Sequence, residues 1–267
     1  MTSLTTLPSQ SPRNSGYGRP LDQAWTARKP TRPVAAAIPK ARVNRRFETE
    51  WLEDGNVLSD TATAPALPAF EQAFSAFTHG VLIQTTDGPI AVEDLEPGMH
   101  METTDGRVSQ LMWKGAITIV PGAPTLSDEP HKLYRVMPDS FGLGRPVQDQ
   151  TFGPSVRRLD RDAKIRAAIG AEAAYVPLSA VADGHSVIEV NPVSPTRVYH
   201  LACAEHVILR AAGLEVESYH PGPETPLSLP EEMLNLFMRF FPYLENVRDF
   251  GRLSAPRLTA DDIMAML

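Results

Sequence analysis

Residues 76–92 read AFTHGVLIQTTDGPIAV. Val81, Leu82 and Ile83 lead into Asp87-Gly88-Pro89, and Ile90, Ala91 and Val92 follow. Two short apolar runs on either side of Asp-Gly predict a β-hairpin, because these residues enter positive-φ turns at little cost. The pattern recurs in residues 101–103 (MET), the turn Thr104-Asp105-Gly106 and residues 108–113 (VSQLMW). Further on come 198–203 (VYHLAC), 206–210 (HVILR) and 214–219 (LEVESY), separated by Ala204-Glu205 and Ala211-Ala212-Gly213. Many short strands joined by tight turns indicate a mainly β, antiparallel domain rather than βαβ units.

Helices are secondary. Residues 159–174 carry helix formers and a thin apolar stripe at Ile165, Ala168 and Ile169, weakened by Gly170. Ser228-Leu229-Pro230-Glu231 has the spacing of a capping box. It opens a stripe of Met233, Leu236, Phe237, Phe240, Phe241 and Leu244, kinked at Pro242. Core packing is the favoured reading of that stripe; a partner or membrane surface is the other.

The chain has 267 residues, 42 % of them hydrophobic, enough for one sizeable domain with a tail or two small ones. Proline, at 25 residues, makes up about 9 % against an ordinary value of roughly 5 %, which favours loops and turns. Residues 1–65 are rich in Pro, Ser, Thr and Arg and read as a disordered, basic arm, with Phe47, Trp51 and Leu52 as a patch able to dock. Within it, residues 13–46 carry nine basic side chains against Asp22 alone; the net charge of -7 leaves -15 on the remainder. The arm is either a solubilising tail or a segment that meets an acidic surface. Tyr17 and Trp25 stand alone, so a nucleic-acid role is disfavoured. The opening residues lack the basic-then-apolar run of a secretory leader, and no apolar stretch reaches the roughly 20 residues of a membrane span. The expectation is a cytoplasmic protein of bacterial style; leaderless export leaves no mark in a sequence.

The order of several motifs carries a resemblance. Residues 76–83 (AFTHGVLI), with Thr85-Thr86-Asp87-Gly88, resemble the opening of the bacterial Hint (Hedgehog/intein-like) family, which runs Cys-Phe-Thr-Pro-Gly-Thr-Leu-Ile before a Thr-x-Asp-Gly turn. Residues 92–98 (VEDLEPG) are similar to its Val-Glu-Asp-Leu-x-Pro-Gly, and Trp113-Lys114-Gly115 to its Trp-x-Gly. Gly153-Pro154-Ser155-Val156-Arg157 falls where the family has Ser-Pro-Gln-His-Arg, and Val176-Pro177-Leu178 resembles Val-Pro-Ala. Tyr199-His200-Leu201, residues 206–209 (HVIL) and residues 217–222 (ESYHPG) resemble its closing hairpin and terminal Glu-Ser-Phe-x-Pro-Gly. Residues 255–259 (APRLT) echo a segment that often follows. The resemblance spans residues 75–222. It implies a Hint-type β domain over residues 70–225, after the arm and before a C-terminal helical extension, residues 226–267.

The resemblance also implies what is missing. Hint self-processing starts when a Cys or Ser side chain attacks the preceding carbonyl, while a proton donor serves the departing backbone nitrogen. The family's nucleophile falls on Ala76, its proton-handling histidine on Val156, and its helping hydroxyl on Gly153. A methyl group cannot attack and an isopropyl group cannot donate, so the expected function is a degenerate Hint domain without self-cleavage, acting as a scaffold or binding module for an unnamed partner. The alternative is a shifted nucleophile, Ser75 or Thr78, served by His79 or His206. A third reading gives the function to the basic arm and the C-terminal helix. His206 matches the family's hairpin histidine, but the acidic residue often found two positions earlier is here Ala204. It either lines a residual pocket or is an ordinary strand histidine. With a single cysteine, Cys203, and only His200 and His206 as neighbouring donors, no cofactor or metal is expected. No Gly-x-Ser-x-Gly elbow, phosphate-binding Gly loop with Lys or His-Glu-x-x-His motif is present.

Overall fold

Turn chemistry sets the strand lengths. A computed structural model describes residues 43–124, 131–223, 225 and 228–266. Strands β1 (Asn44–Glu53) and β2 (Asn56–Pro65) come first, then helix α1 (Pro68–Gln72). Strands β3 (Phe77–Thr78), β4 (Leu82–Thr85), β5 (Gly88–Ala91), β6 (His100–Glu102) and β7 (Val108–Ile119) follow. Next are β8 (Leu133–Val136), β9 (Gln150–Phe152), β10 (Arg157–Asp160), α2 (Ala163–Ile169), β11 (Ala174–Pro177) and β12 (Val187–Val190). Strands β13 (Thr196–Cys203), β14 (Ile208–Ala211) and β15 (Leu214–Glu217) precede helices α3 (Glu231–Met238) and α4 (Ala260–Met266). The expected mainly β architecture is what the chain adopts.

The hairpins lie where the sequence places them. In β4–β5 Thr85 pairs with Gly88, so the turn is Thr86-Asp87, one residue before the Asp-Gly reading. Gly88, at φ 103°, takes the conformation that a side chain would oppose, and Thr85 Oγ1 donates to its carbonyl at 2.6 Å. Ala212 and Gly213, both at positive φ, turn β14 into β15. The antiparallel path runs β11-β10-β15-β14-β4-β6-β7-β13-β3-β9-β8-β12, with β1, β2 and β5 attached beside it. Two-residue β3 is therefore held on both sides, by β13 and by β9.

Two apolar clusters support this sheet. One packs Ala76, Phe77, Ile83, Val156 and Leu209 together. The other is aromatic, joining Phe47, Phe70, Phe74, Trp113, Phe240 and Phe241. Trp113 Nε1 donates to Phe240 O at 2.6 Å, which fastens the chain beyond α3 to the middle of β7. The C-terminal stripe is thus core on its Phe237, Phe240 and Phe241 side.

Three expectations are corrected. Residues 44–65 are not an unstructured arm: β1 and β2 pair along ten residues, and β1 continues onto β7 from Glu48 to Trp51. Phe47, Thr49 and Trp51 alternate inward with period two, a signal masked by interleaved charges. The rest of the expected arm, residues 1–42, lies outside the described residues, including most of the basic stretch 13–46. The helix expected from residue 159 begins only at Ala163, because Arg157–Asp160 pairs with β11 and Asp162 caps the helix through Lys164 N–H at 2.7 Å. Helix α3 is not opened by a capping box: Pro230 sits at its N-cap, and Ser228 Oγ donates to Thr225 O instead. Among the described residues, no helix is long and apolar enough to cross a membrane.

Candidate functional site

The strand pairing brings Ser75, Ala76, Gly153 and Val156 together. Ala76 N–H donates to Tyr199 O at 2.9 Å on β13. Gly153 N–H donates to Ala76 O at 2.8 Å, and Ser155 N–H to Ser75 O at 3.1 Å. The Ser75–Ala76 peptide is thereby bonded like an ordinary sheet peptide from both flanks. The Ala76 methyl is fully buried, and Val156, 1 % exposed, belongs to the same apolar cluster.

Gly153 defines the tightest contact. A Cβ there would lie 2.1 Å from Ser75 O and 2.8 Å from Ser75 C, both backbone atoms. That space is already occupied by the carbonyl preceding Ala76, so only glycine fits without backbone movement.

Ser75 belongs to this peptide, whereas the side-chain bonds of Thr78, His79 and His206 run elsewhere. Ser75 is buried, and its Oγ donates to Ser155 Oγ at 3.2 Å, a hydroxyl rather than a base. Thr78 Oγ1 donates to Thr151 O at 2.7 Å, which commits its proton to a carbonyl. His79 stands in solvent, its side chain 69 % exposed, with Nδ1 3.1 Å from Glu93 Oε1. Among the described residues, no hydrogen bond of the Ser75 or Thr78 side chain runs to a histidine.

His206 has no exposed side-chain surface and sits in a polar network of its own. Its Nδ1 accepts from the Ser254 N–H at 2.9 Å, which leaves the ring proton on Nε2, 3.1 Å from Glu217 Oε1 and 3.1 Å from Ser218 O. Glu217 is also bonded by Arg257 Nε at 2.7 Å, and Arg157 Nη1 lies 3.8 Å away. Burial raises the Glu217 carboxyl, but the His206 hydrogen bond and the two arginines outweigh it and hold it below its ordinary value. Ser254 Oγ closes the network on the Tyr175 hydroxyl at 2.6 Å. Glu217, Ser254 and Arg257 were not singled out as site residues from sequence. The signal was available for Glu217 alone, since a hairpin turned at 212–213 sets residue 208 opposite 217 and brings 206 near.

Two further polar groups are buried. His200 Nδ1 donates to Gln72 O at 3.2 Å, and burial pushes this histidine down to about 3. Burial likewise raises the Cys203 thiol to about 12, which makes it a poor nucleophile. Among the described residues no three His, Cys, Asp or Glu side chains cluster as a metal requires.

A cleft of about 440 Å³ opens beside the Ser75–Ala76 peptide. Ser75 and Ser155 reach it from one side, Lys132, Arg157 and Arg257 from others. It lies in the size range of small-molecule pockets, about 300–1,000 Å³.

No curated protein matches the chain. Among solved structures it is similar to the solution structure of a bacterial intein-like domain from Clostridium thermocellum, at 11 % identity and a TM-score of 0.37, over 54 % of this chain and 99 % of that one. The family model described as Hint domain matches residues 75–223, more than half of the chain. The span begins at the serine before Ala76 and ends just beyond the 217–222 motif, and on it the chain belongs to the Hint domain family.

Proposed function

We propose that this protein is a Hint domain that does not cleave itself and acts as a binding module or scaffold. The observation that carries the reading is the closed space at Gly153, where a Cβ would lie 2.1 Å from Ser75 O. Self-processing needs a nucleophile beside the Ser75 carbonyl carbon and a proton donor beside the Ala76 nitrogen. The flanking positions instead hold a buried methyl, a glycine closed upon by backbone, and a buried isopropyl group. The Ala76 N–H is already spent on Tyr199 O.

Ser75 supports a second reading only through its hydroxyl, which would have to attack the Phe74 carbonyl with Ser155 as its hydrogen-bonded neighbour. A serine hydroxyl is too weak a base to activate it. In this reading the protein works in the cytoplasm, and the basic stretch of residues 13–46 is a solubilising tail or else a segment that meets an acidic surface.

The test is the intact mass of the full-length protein during days at neutral pH, with and without added thiol or hydroxylamine. A single species at 29.2 kDa is expected throughout. Fragments with a junction at residues 74–78 would overturn the reading.

A further inference from the structure

We propose that Ser254, His206 and Glu217 form a hydrolytic triad at the closing hairpin, one that takes acyl groups from small esters. The inference goes beyond the binding-module reading: Ser254 lies outside the matched span, residues 75–223, and self-cleavage is no part of it.

Such chemistry needs a nucleophile, a base beside it and a group that orients the base. Ser254 Oγ lies 3.1 Å from His206 Nδ1, and His206 Nε2 lies 3.1 Å from Glu217 Oε1. Exposure falls in the order that the chemistry requires. Ser254 is exposed, whereas the His206 and Glu217 side chains are buried behind it. The nucleophile meets solvent while its base and the carboxylate are kept from water. The ring is turned so that Nδ1 rather than Nε2 faces the serine, but a triad is defined by roles and distances.

The neighbours place the protons. The ring proton sits on Nε2, toward Glu217 Oε1 and Ser218 O, so the Nδ1 lone pair faces Ser254. Glu217, held below its ordinary value against its burial by the His206 bond and the two arginines, faces the ring as a carboxylate. Burial raises the Tyr175 hydroxyl, so it stays protonated and supplies a donor to Ser254 Oγ at 2.6 Å. The serine proton is then left for Nδ1. The Ser254 N–H shares that lone pair at 2.9 Å, which fixes the serine over the ring and weakens the hydroxyl's hold. A slow esterase is therefore expected.

The main chain on both sides of Ser254 is anchored. His220 Nδ1 accepts from Gly222 N–H, so its Nε2 donates to Gly251 O, at 3.3 Å. Tyr175 N–H donates to Pro256 O at 2.8 Å, and Leu258 N–H to Tyr175 O at 2.9 Å. The Ala255 N–H makes no hydrogen bond among the described residues. The N–H following a serine nucleophile is a usual donor to the developing oxyanion.

In the reaction Ser254 Oγ attacks the ester carbonyl carbon as its proton passes to His206 Nδ1. The bond to the leaving alkoxide breaks, and the alkoxide takes that proton. Water, deprotonated by the same nitrogen, then hydrolyses the acyl-serine and restores the hydroxyl.

The test treats the full-length protein with diisopropyl fluorophosphate, which phosphorylates an activated serine as fluoride leaves with the proton. Intact mass counts the adducts and peptide mapping locates them. One adduct is expected, on Ser254, in native protein and none in protein unfolded in urea. Ser254→Ala, at an exposed position, should take no adduct. His206→Gln should label at least about a hundredfold more slowly, the lower end of what a general base contributes. Native protein should hydrolyse p-nitrophenyl acetate, and labelled protein should not. Should His206→Gln fail to fold, native against urea-unfolded parent carries the test, because an isolated serine is not activated. Absence of an adduct, an adduct on another residue, labelling that survives urea, or His206→Gln labelling at the parent's rate would overturn the proposal. Fragments with a junction at residues 74–78 would count against the binding-module reading alone.

Discussion

Two regions of the domain treat polarity in opposite ways. At the junction of β3 and β9 the peptide before Ala76 is enclosed by glycine, alanine and valine, and its hydrogen bonds run to other backbone groups. At the closing hairpin His206, Glu217, Arg257 and Ser254 form a buried network in which the side chains satisfy one another. Both regions lie in the matched family span or beside it. The difference teaches that a buried side-chain polar group needs partners of its own, and that a buried peptide flanked by small and branched apolar residues is satisfied by backbone alone. The first consequence is energetic. Glu217→Ala leaves two arginines facing a vacant, buried site, and breaking such a pair costs about 3–5 kcal/mol. Urea denaturation should show a loss of that size, and a loss below about 1 kcal/mol would mean that the hairpin network is no more a staple than the junction before Ala76.

The junction before Ala76 has its own probe. Gly153→Ser introduces the hydroxyl that the resemblance assigns to this position, yet its Cβ would lie 2.1 Å from Ser75 O. Overpacking of this kind costs about 1–3 kcal/mol. The variant is expected to be destabilised by that amount and to stay uncleaved. A stable Gly153→Ser protein would show that the junction opens easily, and the contrast with the hairpin would lose its steric basis.

Acid sharpens the comparison further. His200 has an ordinary value of 6.5 in the unfolded chain and about 3 in the fold, because burial disfavours its charged form. The unfolded state therefore binds the proton first, so the stability associated with neutral His200 is complete above pH 6.5 and is lost as the pH falls from 6.5 toward 3. Within that window one histidine contributes a slope of about 1.4 kcal/mol per pH unit. His200→Gln should remove that slope from a plot of unfolding free energy against pH. Glu217, held below its ordinary 4.5, contributes stability above that value that is lost as the pH falls through its folded one, so Glu217→Gln should flatten only the acid end.

How much of this was legible in the sequence depends on the range of the interaction. The hairpins at 85–88 and 211–214 were readable because turn preference and apolar alternation are local. The resemblance assigns Ala76, Gly153 and Val156 to the family's chemical positions without saying how they lie in space; the strand pairing bonds Ala76 to Gly153 and packs Val156 into the same cluster. Phe47 and Trp51 read in sequence as no more than a docking patch, since the β-strand that carries them is interleaved with Arg46, Glu48 and Glu50. Arg257 was out of reach: its bond to Glu217 spans forty positions, and nothing local in Ala255-Pro256-Arg257 says which carboxylate it will find. The same holds for Glu71, whose partners Arg45 and His131 come from separate parts of the chain.

The smallest expected effects belong to the hydroxyls beside the Ser75–Ala76 peptide, and they bear most directly on its character. Thr78→Val removes a 2.7 Å hydrogen bond to Thr151 O and leaves that carbonyl with one partner fewer. Ser75→Ala removes a 3.2 Å contact between two hydroxyls. A typical intramolecular hydrogen bond contributes about 0.5–1.5 kcal/mol net, so the first substitution should cost about 1 kcal/mol and the second less. If these hydroxyls are strand-entry groups, the double variant should match the parent in mass and in its behaviour with hydroxylamine, and differ only in melting temperature. If either is a nucleophile, the parent protein must show a time-dependent fragment that the double variant abolishes. The two outcomes separate cleanly because the stability change is too small to unfold the domain, so any loss of a fragment would report chemistry rather than folding.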